Sequence, residues 1–206
     1  MTPLTSDHDR YSLSFTSGAL LVREAVIATP LYLDARDWGE VRSRLAGENL
    51  LQARTASSST RLAREVVQRL AVLTDAELEL FVESSASERS LLMWVAACRR
   101  YALIGEFAEE VVRERFLLLT PRLGYEEFDS FVNGKALWHP ELDELKESTS
   151  KKLRATVFRM LTEADLFTNG QIQQAVLSER VRDALDAREP SDVRFLPMRA
   201  TLEAAL

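Results

Sequence analysis

Two stretches of the chain gather basic side chains near the predicted starts of helices, and the chemistry that suits such positions is phosphate binding. A helix start offers backbone N–H groups without intrahelical partners and a partial positive charge, and a neighbouring phosphate gains from both. The first stretch, residues 49–70, holds Arg54, Arg61, Arg64 and Arg69 against one acid, Glu65. The second, residues 146–160, holds Lys146, Lys151, Lys152, Arg154 and Arg159 against one acid, Glu147.

Hydroxyl side chains accompany both basic stretches. Ser57–Ser59 cap the first helix, and Ser148 or Thr149 caps a helix that begins near Lys151. In the functional interpretation, these residues form two edges that contact the phosphates of a nucleic acid. The predicted nucleic-acid-binding residues are Arg54, Thr55, Arg61, Arg64, Arg69, Ser148, Thr149, Lys151, Lys152 and Arg154. A purely structural interpretation stays open, because Ser and Thr are common helix caps and surface lysines are commonly solvated.

The chain lacks the residue patterns of common catalytic and cofactor sites. It has no H-E-x-x-H zinc motif, no Gly-rich phosphate loop, no G-x-G-x-x-G and no G-x-S-x-G. One of its two histidines, His8, falls in a polar tail, and the other, His139, precedes a proline. Its single cysteine, Cys98, falls on an apolar helix and is interpreted as a core residue. We therefore predict no enzyme activity, no metal site and no cofactor.

The bulk composition is that of a globular chain with an acidic surplus. The 206 residues suffice for one domain or two small ones, and the net charge of −6 argues against a protein that is basic all over. A local basic face remains compatible with that charge, because phosphate binding depends on where the charges lie. The single cysteine, the lack of a signal-peptide pattern and a longest apolar run of only Leu91–Cys98 predict a cytoplasmic protein without membrane insertion.

Apolar periodicity and capping residues predict an all-α or mainly α fold, arranged as a multi-helix bundle. Thr74 followed by Glu77 and Ser85 followed by Glu88 fit capping boxes, which open two of the helices. The predicted helices cover residues 13–33, 34–46, 57–73, 75–83, 86–101, 104–119, 125–132, 151–164 and 178–187.

An irregular region around Asn133-Gly134 predicts two packed subdomains, residues 1–134 and 135–206. The second subdomain carries a pattern that fits a short β-ribbon. Residues 171–177 are predicted as one strand and residues 192–196 as another, with a helix between them. A helix followed by two strands around a short helix is similar to a winged helix.

Three phrases of sequence stand apart from the helix pattern: S-G-A-L-L-V-R-E at 17–24, E-N-L-L-Q-A-R-T at 48–55 and E-S-T-S-K-K-L at 147–153. In the first phrase, Gly18 and Ala19 allow close packing. Arg23 of the same phrase either pairs with Glu24 or lies buried against another carboxylate or a carbonyl. In the second phrase, Asn49 and Gln52 are predicted to tie a connector to its neighbours through backbone hydrogen bonds.

The ordered series of these phrases resembles the BrxA family, the small subunit of bacterial BREX phage-exclusion systems, from about Tyr11 to Leu196. The remaining matching positions are Trp38, Thr60-Arg61, Arg69-Leu70, Ala96-Ala97 and G-E-F-A-E-E-V-V-R-E at 105–114. The resemblance implies an all-helical or nearly all-helical protein that takes part in BREX defence. In that defence, host DNA is methylated and phage replication is blocked. The resemblance also implies binding of double-stranded DNA without catalysis, contact with other BREX components and a loose similarity to a helical RNA-binding antitermination factor.

Two alternatives to DNA binding remain at this point, and the oligomeric state also stays open. One is a helical scaffold that docks other defence proteins and touches no nucleic acid. It predicts an exposed apolar patch at Leu117–Leu119 or at Leu137-Trp138. The other is an RNA-binding regulator, which a competition between RNA and DNA duplexes would identify.

Overall fold

The computed structural model describes residues 10–15 and 18–199, and helices dominate this part of the chain. The helices are α1 (Val22–Ala35), α2 (Trp38–Gly47), α3 (Ala56–Leu70), α4 (Asp75–Glu83), α5 (Ala86–Arg100), α6 (Ala102–Phe107), α7 (Glu114–Leu117), α8 (Tyr125–Ala136), α9 (Pro140–Asp143), α10 (Glu147–Glu163) and α11 (Glu179–Asp186). A π-helical segment, Ala108–Arg113, joins α6 to α7. The predicted mainly α fold is confirmed. The predicted tail with His8 falls largely outside the described residues, and Ser17 lies outside them too.

Several of these helices start at a capping residue, whose side chain accepts a hydrogen bond from the first turn of the helix. The hydroxyl of Thr74 accepts from the Glu77 N–H, and the Glu77 carboxylate accepts from the Thr74 N–H, which completes a capping box. Ser85 and Glu88 form the same arrangement at the start of α5. Both predicted capping boxes are therefore confirmed.

Helix α5 is the centre of the core. Every side chain from Leu91 to Cys98 is buried, and α5 packs against α1, α3, α4, α6 and α10. Its Trp94 is fully enclosed and donates its indole N–H to the Phe195 carbonyl at 2.9 Å. Burial raises the pKa of the Cys98 thiol well above its usual range, so this side chain is a neutral core residue, as predicted.

The C-terminal region contains the predicted β-ribbon, but the strands lie elsewhere. Strands β1 (Phe167–Thr168) and β2 (Gln171–Ile172) pair antiparallel across a two-residue turn. The predicted strand at 171–177 thus ends after two residues, and the predicted strand at 192–196 is wrong, because Asp192–Phe195 forms a 3₁₀-helix. Side chains fix this segment instead of a strand ladder, since Arg99 donates to Asp192 at 2.9 Å and Trp94 donates to the Phe195 carbonyl.

Several helix boundaries also differ from the prediction, and α1 begins at Val22 rather than at residue 13. Helix α8 continues through Asn133-Gly134 to Ala136, so the predicted boundary at residue 134 falls inside a helix. The division into two subdomains stays a prediction, although buried apolar residues from both sides of the boundary belong to one connected cluster. Helix α10 begins at Glu147 rather than near residue 151. Its N-cap residue is Lys146, which forms no side-chain cap hydrogen bond, so neither Ser148 nor Thr149 is the cap.

None of the helices in residues 10–15 and 18–199 is both long enough and apolar enough to cross a membrane.

The Glu88 carboxylate ties α5 to α11 and provides a test of the fold. It accepts from the Ser178 hydroxyl at 2.5 Å and from the Ser85 hydroxyl at 2.8 Å. The hydrogen bonds from Ser178, followed by those from Ser85, lower the pKa of Glu88 to about 2. The folded pKa lies below the unfolded value of about 4.3. The stabilisation is therefore complete above the unfolded pKa and is lost as the pH falls towards the folded pKa.

We predict that Glu88→Gln lowers the free energy of unfolding at pH 7, and that this difference from the unmodified protein shrinks between about pH 5 and pH 2. Urea denaturation across this range measures both proteins. Glu144→Gln is the matched control, because Glu144 is an exposed acid with no side-chain hydrogen bond in the described structure. If the loss of unfolding free energy in Glu88→Gln does not depend on pH, the stabilisation does not come from the ionised Glu88 carboxylate.

Candidate nucleic-acid interface

The connector between α2 and α3 is closed by an asparagine. The Asn49 side chain accepts from the Ala53 N–H at 2.9 Å and donates to the Ala53 carbonyl at 3.1 Å. The backbone N–H of Gln52 donates to the Asn49 carbonyl at 2.9 Å, and both residues have left-handed backbones. The predicted tie at Asn49 is thereby confirmed. Arg54 directly follows this closed loop, and its side chain is exposed.

Thr55 is the N-cap of α3. Its hydroxyl oxygen accepts from the Ser58 N–H at 3.1 Å, and its O–H donates to the Ser58 hydroxyl at 2.9 Å. The hydroxyl therefore caps the start of the helix, and the predicted caps Ser57–Ser59 are wrong because they lie inside α3. Arg61 and Arg64 follow on α3, three residues apart, and both are exposed. The first predicted edge thus carries Arg54, Arg61 and Arg64 on an accessible surface.

A groove runs from this edge to the middle of α10. It consists of two adjoining hollows of about 640 and 500 Å³, which share Gly18, Leu62 and Arg159. Four guanidinium side chains line it, and we call it the cationic groove. They are Arg23, Arg54, Arg61 and Arg159.

The charge of the cationic groove differs in sign from that of the whole chain. Its four arginines face two carboxylates, Glu24 and Glu163, whereas the chain carries a net charge of −6. Within the described residues, Arg23, Arg54 and Arg61 form no ion pair, and Arg159 lies 3.8 Å from Glu163. Exposed cations without carboxylate partners are available to an incoming anion.

A buried ion pair fixes the floor of the groove. The Arg69 guanidinium donates from Nε and Nη2 to the Glu65 carboxylate at 3.1 and 2.9 Å, and from Nη1 to the Ala19 carbonyl. Tyr101 donates its hydroxyl to the same carboxylate at 2.5 Å. Burial and this hydrogen bond raise the pKa of Tyr101 to about 12. Glu163 accepts from the Leu20 N–H at 2.9 Å, so residues 18–21 are held between α3 and α10.

The prediction that Arg69 is a nucleic-acid-binding residue is therefore wrong. Its side chain is fully buried and lies in the core, so it cannot reach a phosphate on the surface of this structure. The sequence also predicted that Arg23 pairs with Glu24 or is buried. Arg23 is instead exposed and faces the groove without an ion pair to Glu24. The arginine that is buried against residues 17–24 is therefore Arg69, which follows Ala19 by 50 residues in the sequence.

Gly18 is required where it stands at the rim of the groove. Its φ of +88° favours glycine, and an added Cβ would lie 2.6 Å from Cδ2 of Leu21. This contact is local to the segment before α1, so the close helix packing predicted for Gly18 and Ala19 stays a prediction. A larger residue at this position would strain the backbone and force the Leu21 side chain to shift.

The second predicted edge, at the start of α10, is less cationic than its composition suggests. Lys151 lies 2.6 Å from Glu147, and this hydrogen bond lowers the pKa of the Glu147 carboxyl. Arg154 is only 18 % exposed and pairs with Asp129. Two nearby backbone N–H groups, those of Thr149 and the residue after it, donate to the Lys146 carbonyl. Carboxylates and backbone acceptors therefore occupy much of this edge.

Helical spacing connects part of the second edge to the cationic groove. Ser148, Lys152, Ala155 and Arg159 follow one another at intervals of three and four residues and are all exposed, so they form one stripe along α10. Lys152 forms no ion pair in the described structure and lies about 10 Å along the helix from Arg159. The structure therefore unites Arg54, Arg61 and Lys152 on one surface through Arg159. The spacing of Lys152 and Arg159 was the signal in the sequence for this link.

Among the described residues, no group of three or more His, Cys, Asp and Glu side chains could hold a metal ion.

Comparison with known proteins supports a single family. The sequence model of the family described as BrxA matches residues 9–189. A BREX protein BrxA from Escherichia coli O9:H4 (strain HS) is 28 % identical over 147 residues, which cover 71 % of this chain and 69 % of that protein. A BREX protein BrxA from Paramagnetospirillum magneticum (strain ATCC 700264 / AMB-1) is 25 % identical over 162 residues, which cover 79 % and 81 %.

One solved structure shares the fold. The crystal structure of an uncharacterized protein from Magnetospirillum magneticum aligns with a TM-score of 0.78 and 24 % sequence identity. The alignment covers 91 % of this chain and 99 % of that one. The helical arrangement described above is therefore found in an experimental structure.

The buried ion pair below the groove yields a stability prediction. Arg69→Met leaves the Glu65 carboxylate buried without its guanidinium and should cost about 3–5 kcal/mol of unfolding free energy. The double variant Arg69→Met/Glu65→Gln removes both charges and keeps an acceptor for Tyr101, so it should recover a substantial part of that loss. Urea denaturation at neutral pH compares the two. If the double variant is as unstable as Arg69→Met, an uncompensated buried charge is not the cause of the lost stability.

Proposed function

The chain belongs to the BrxA family, and on that premise we propose that it is a BREX component that binds double-stranded DNA through the cationic groove without catalysing a reaction. One observation carries the proposal. Arginines from three separate parts of an acidic chain converge on one groove, and three of the four have no carboxylate partner in the described structure. The family relatives support the BREX assignment, and the groove supports the choice of a polyanion as ligand.

The chemistry of the groove suits a phosphate backbone. Guanidinium groups donate two parallel hydrogen bonds to a phosphate and keep their charge at any physiological pH. Arg54, Arg61 and Arg159 supply the central contacts in this proposal, and Arg64 and Lys152 extend them along α3 and α10. Contacts of this kind hold a duplex without reading its sequence.

The start of α10 contributes less in this proposal. Lys151, Ser148 and Thr149 remain proposed contacts at the far end of the α10 stripe, but the Glu147 carboxylate competes with phosphate for Lys151. Arg154 is already engaged by Asp129. We further propose that the protein acts in the cytoplasm, together with other BREX components.

We predict that Arg54→Ala/Arg61→Ala weakens duplex binding and flattens its salt dependence. Each lost phosphate contact should lower the magnitude of the slope of log affinity against log salt by about 0.9. Lys151→Ala/Lys152→Ala should have a smaller effect in the same direction, because only Lys152 lacks a carboxylate partner in the described structure. Gel-shift titration of one duplex at several salt concentrations measures the slopes.

The matched control is Arg36→Ala/Arg180→Ala. It removes the same number of charges from exposed arginines that pair with carboxylates outside the groove, Asp75 and Glu83. The control should retain the unmodified slope. A slope that changes equally in the control and the groove variant would show that net charge, rather than the groove, governs binding.

A second candidate function rests on exposed apolar side chains. Leu118 is 70 % exposed, and Leu137 and Trp138 are 79 % and 82 % exposed. Both predicted segments therefore place large apolar groups in solvent, and such residues often mark protein interfaces. We propose as the alternative that the protein docks other BREX proteins without nucleic acid.

If docking is the function, Leu137→Ser/Trp138→Ser should abolish recovery of BREX partner proteins in a pull-down after nuclease treatment. The substitution removes two highly exposed apolar side chains that do not line the groove. Val176→Ser, which changes another exposed apolar residue at 76 % exposure, is the control. Partner recovery that requires intact DNA, and is unaffected by the Leu137 and Trp138 changes, contradicts the docking function and favours DNA binding.

A further inference from the structure

Three aromatic side chains that are distant in sequence meet in one pocket beside α10. Tyr125 begins α8, Phe158 lies on α10 and Phe167 lies on β1. The Tyr125 and Phe158 rings are 4.8 Å apart with an interplanar angle of 89°, and Phe158 and Phe167 are 5.2 Å apart with the same angle. The hollow has a volume of about 490 Å³, and we call it the aromatic pocket.

The accessibility of the rings defines a floor and two open sides. Phe158 is buried, whereas Phe167 is partly exposed and Tyr125 is 49 % exposed. Phe158 therefore forms the floor of the hollow because it is the buried ring, and the two accessible rings stand nearly perpendicular to it. The Arg154 guanidinium lies 4.5 Å from the centroid of the Tyr125 ring and braces that side chain. The pocket thus offers flat apolar surfaces that are already held in place.

The aromatic pocket adjoins the cationic groove at a single side chain. Arg159 lines the aromatic pocket and also both hollows of the groove. A ligand that spans this arginine would place anionic groups on one side and a flat apolar group on the other. A nucleic acid strand has this combination in every nucleotide.

We propose that the aromatic pocket receives one unpaired nucleobase of a DNA strand whose phosphates occupy the cationic groove. The inference rests on the proposed function and specifies its ligand. Aromatic side chains bind bases by stacking, which works for any base because each has a π-face. The base must be unpaired, because the faces of a paired base are covered by its neighbours in the duplex. The volume lies within the range of small-ligand pockets, roughly 300–1,000 Å³.

The alternative occupant is an aromatic side chain of a partner protein. It would use the same flat surfaces, but it would not bring a phosphate to Arg159 and the groove beyond it. The placement of Arg159 between pocket and groove therefore favours a nucleotide, and the experiment below separates the two.

The test compares a fully paired duplex with the same duplex carrying one bulged 2-aminopurine. The unmodified protein should bind the bulged duplex about fivefold more tightly or better, and should quench the fluorescence of the bulged base. Tyr125→Ala should lose this preference while retaining its affinity for the paired duplex. Tyr125→Phe keeps the ring and should keep the preference.

Two further variants complete the design. Ala155→Trp fills the pocket from the exposed face of α10 and should abolish the preference without removing any aromatic contact. Tyr32→Ala is the matched control, because Tyr32 is a partly exposed tyrosine that stacks on Trp38 at the end of α1, outside the pocket. It should behave like the unmodified protein.

Equal affinity of the unmodified protein for the two duplexes would overturn the assignment of the pocket and leave the proposed function intact. A preference that survives in both Tyr125→Ala and Ala155→Trp would also overturn it, and would place the base elsewhere. Failure of the unmodified protein to bind either duplex would overturn the proposed function itself, together with this inference.

Discussion

The buried Glu65–Arg69 ion pair is the interaction on which the rest of the candidate site depends. Two charges can remain in an apolar interior only if hydrogen bonds satisfy them. The Glu65 carboxylate accepts hydrogen bonds from Arg69 and Tyr101, and Nη1 of the Arg69 guanidinium donates to the Ala19 carbonyl. The pair therefore anchors the irregular segment before α1. That segment is the floor of the cationic groove, so an interior contact sets the shape of an exterior surface.

Charge placement, rather than total charge, explains how an acidic protein can present a site for a polyanion. Many of its basic side chains pair with nearby carboxylates, as Arg36 does with Asp75 and Lys135 with Glu106 and Glu110. Three of the four groove arginines differ, because Arg23, Arg54 and Arg61 form no ion pair in the described structure. If the proposed ligand is a DNA duplex, the surplus of acid elsewhere repels a duplex that approaches from another direction, and it thereby favours approach to the groove.

The sequence predicts those features that are set by near neighbours. The capping boxes at Thr74 and Ser85 are confirmed because both partners lie within one helical turn. The 3₁₀-helix at Asp192–Phe195 was missed because contacts with α5, more than 90 residues away, determine it. Arg61 and Arg69 are the same residue type on the same helix, α3, and only the packing of that helix decides that Arg69 is buried and Arg61 is exposed. For the same reason, the three rings of the aromatic pocket do not form a pattern in the sequence.

The groove is assembled from positions that are far apart along the polypeptide: Arg23, Arg54, Arg61 and Arg159. Ribosomes deliver these side chains in that order, and α10 emerges long after α3 has left the exit tunnel. A nascent chain therefore carries an incomplete anion site until α10 docks, and proteolysis between α9 and α10 would separate the site into two halves that each lack its shape. If the groove binds a polyanion as proposed, that binding therefore requires a fully synthesised and folded chain.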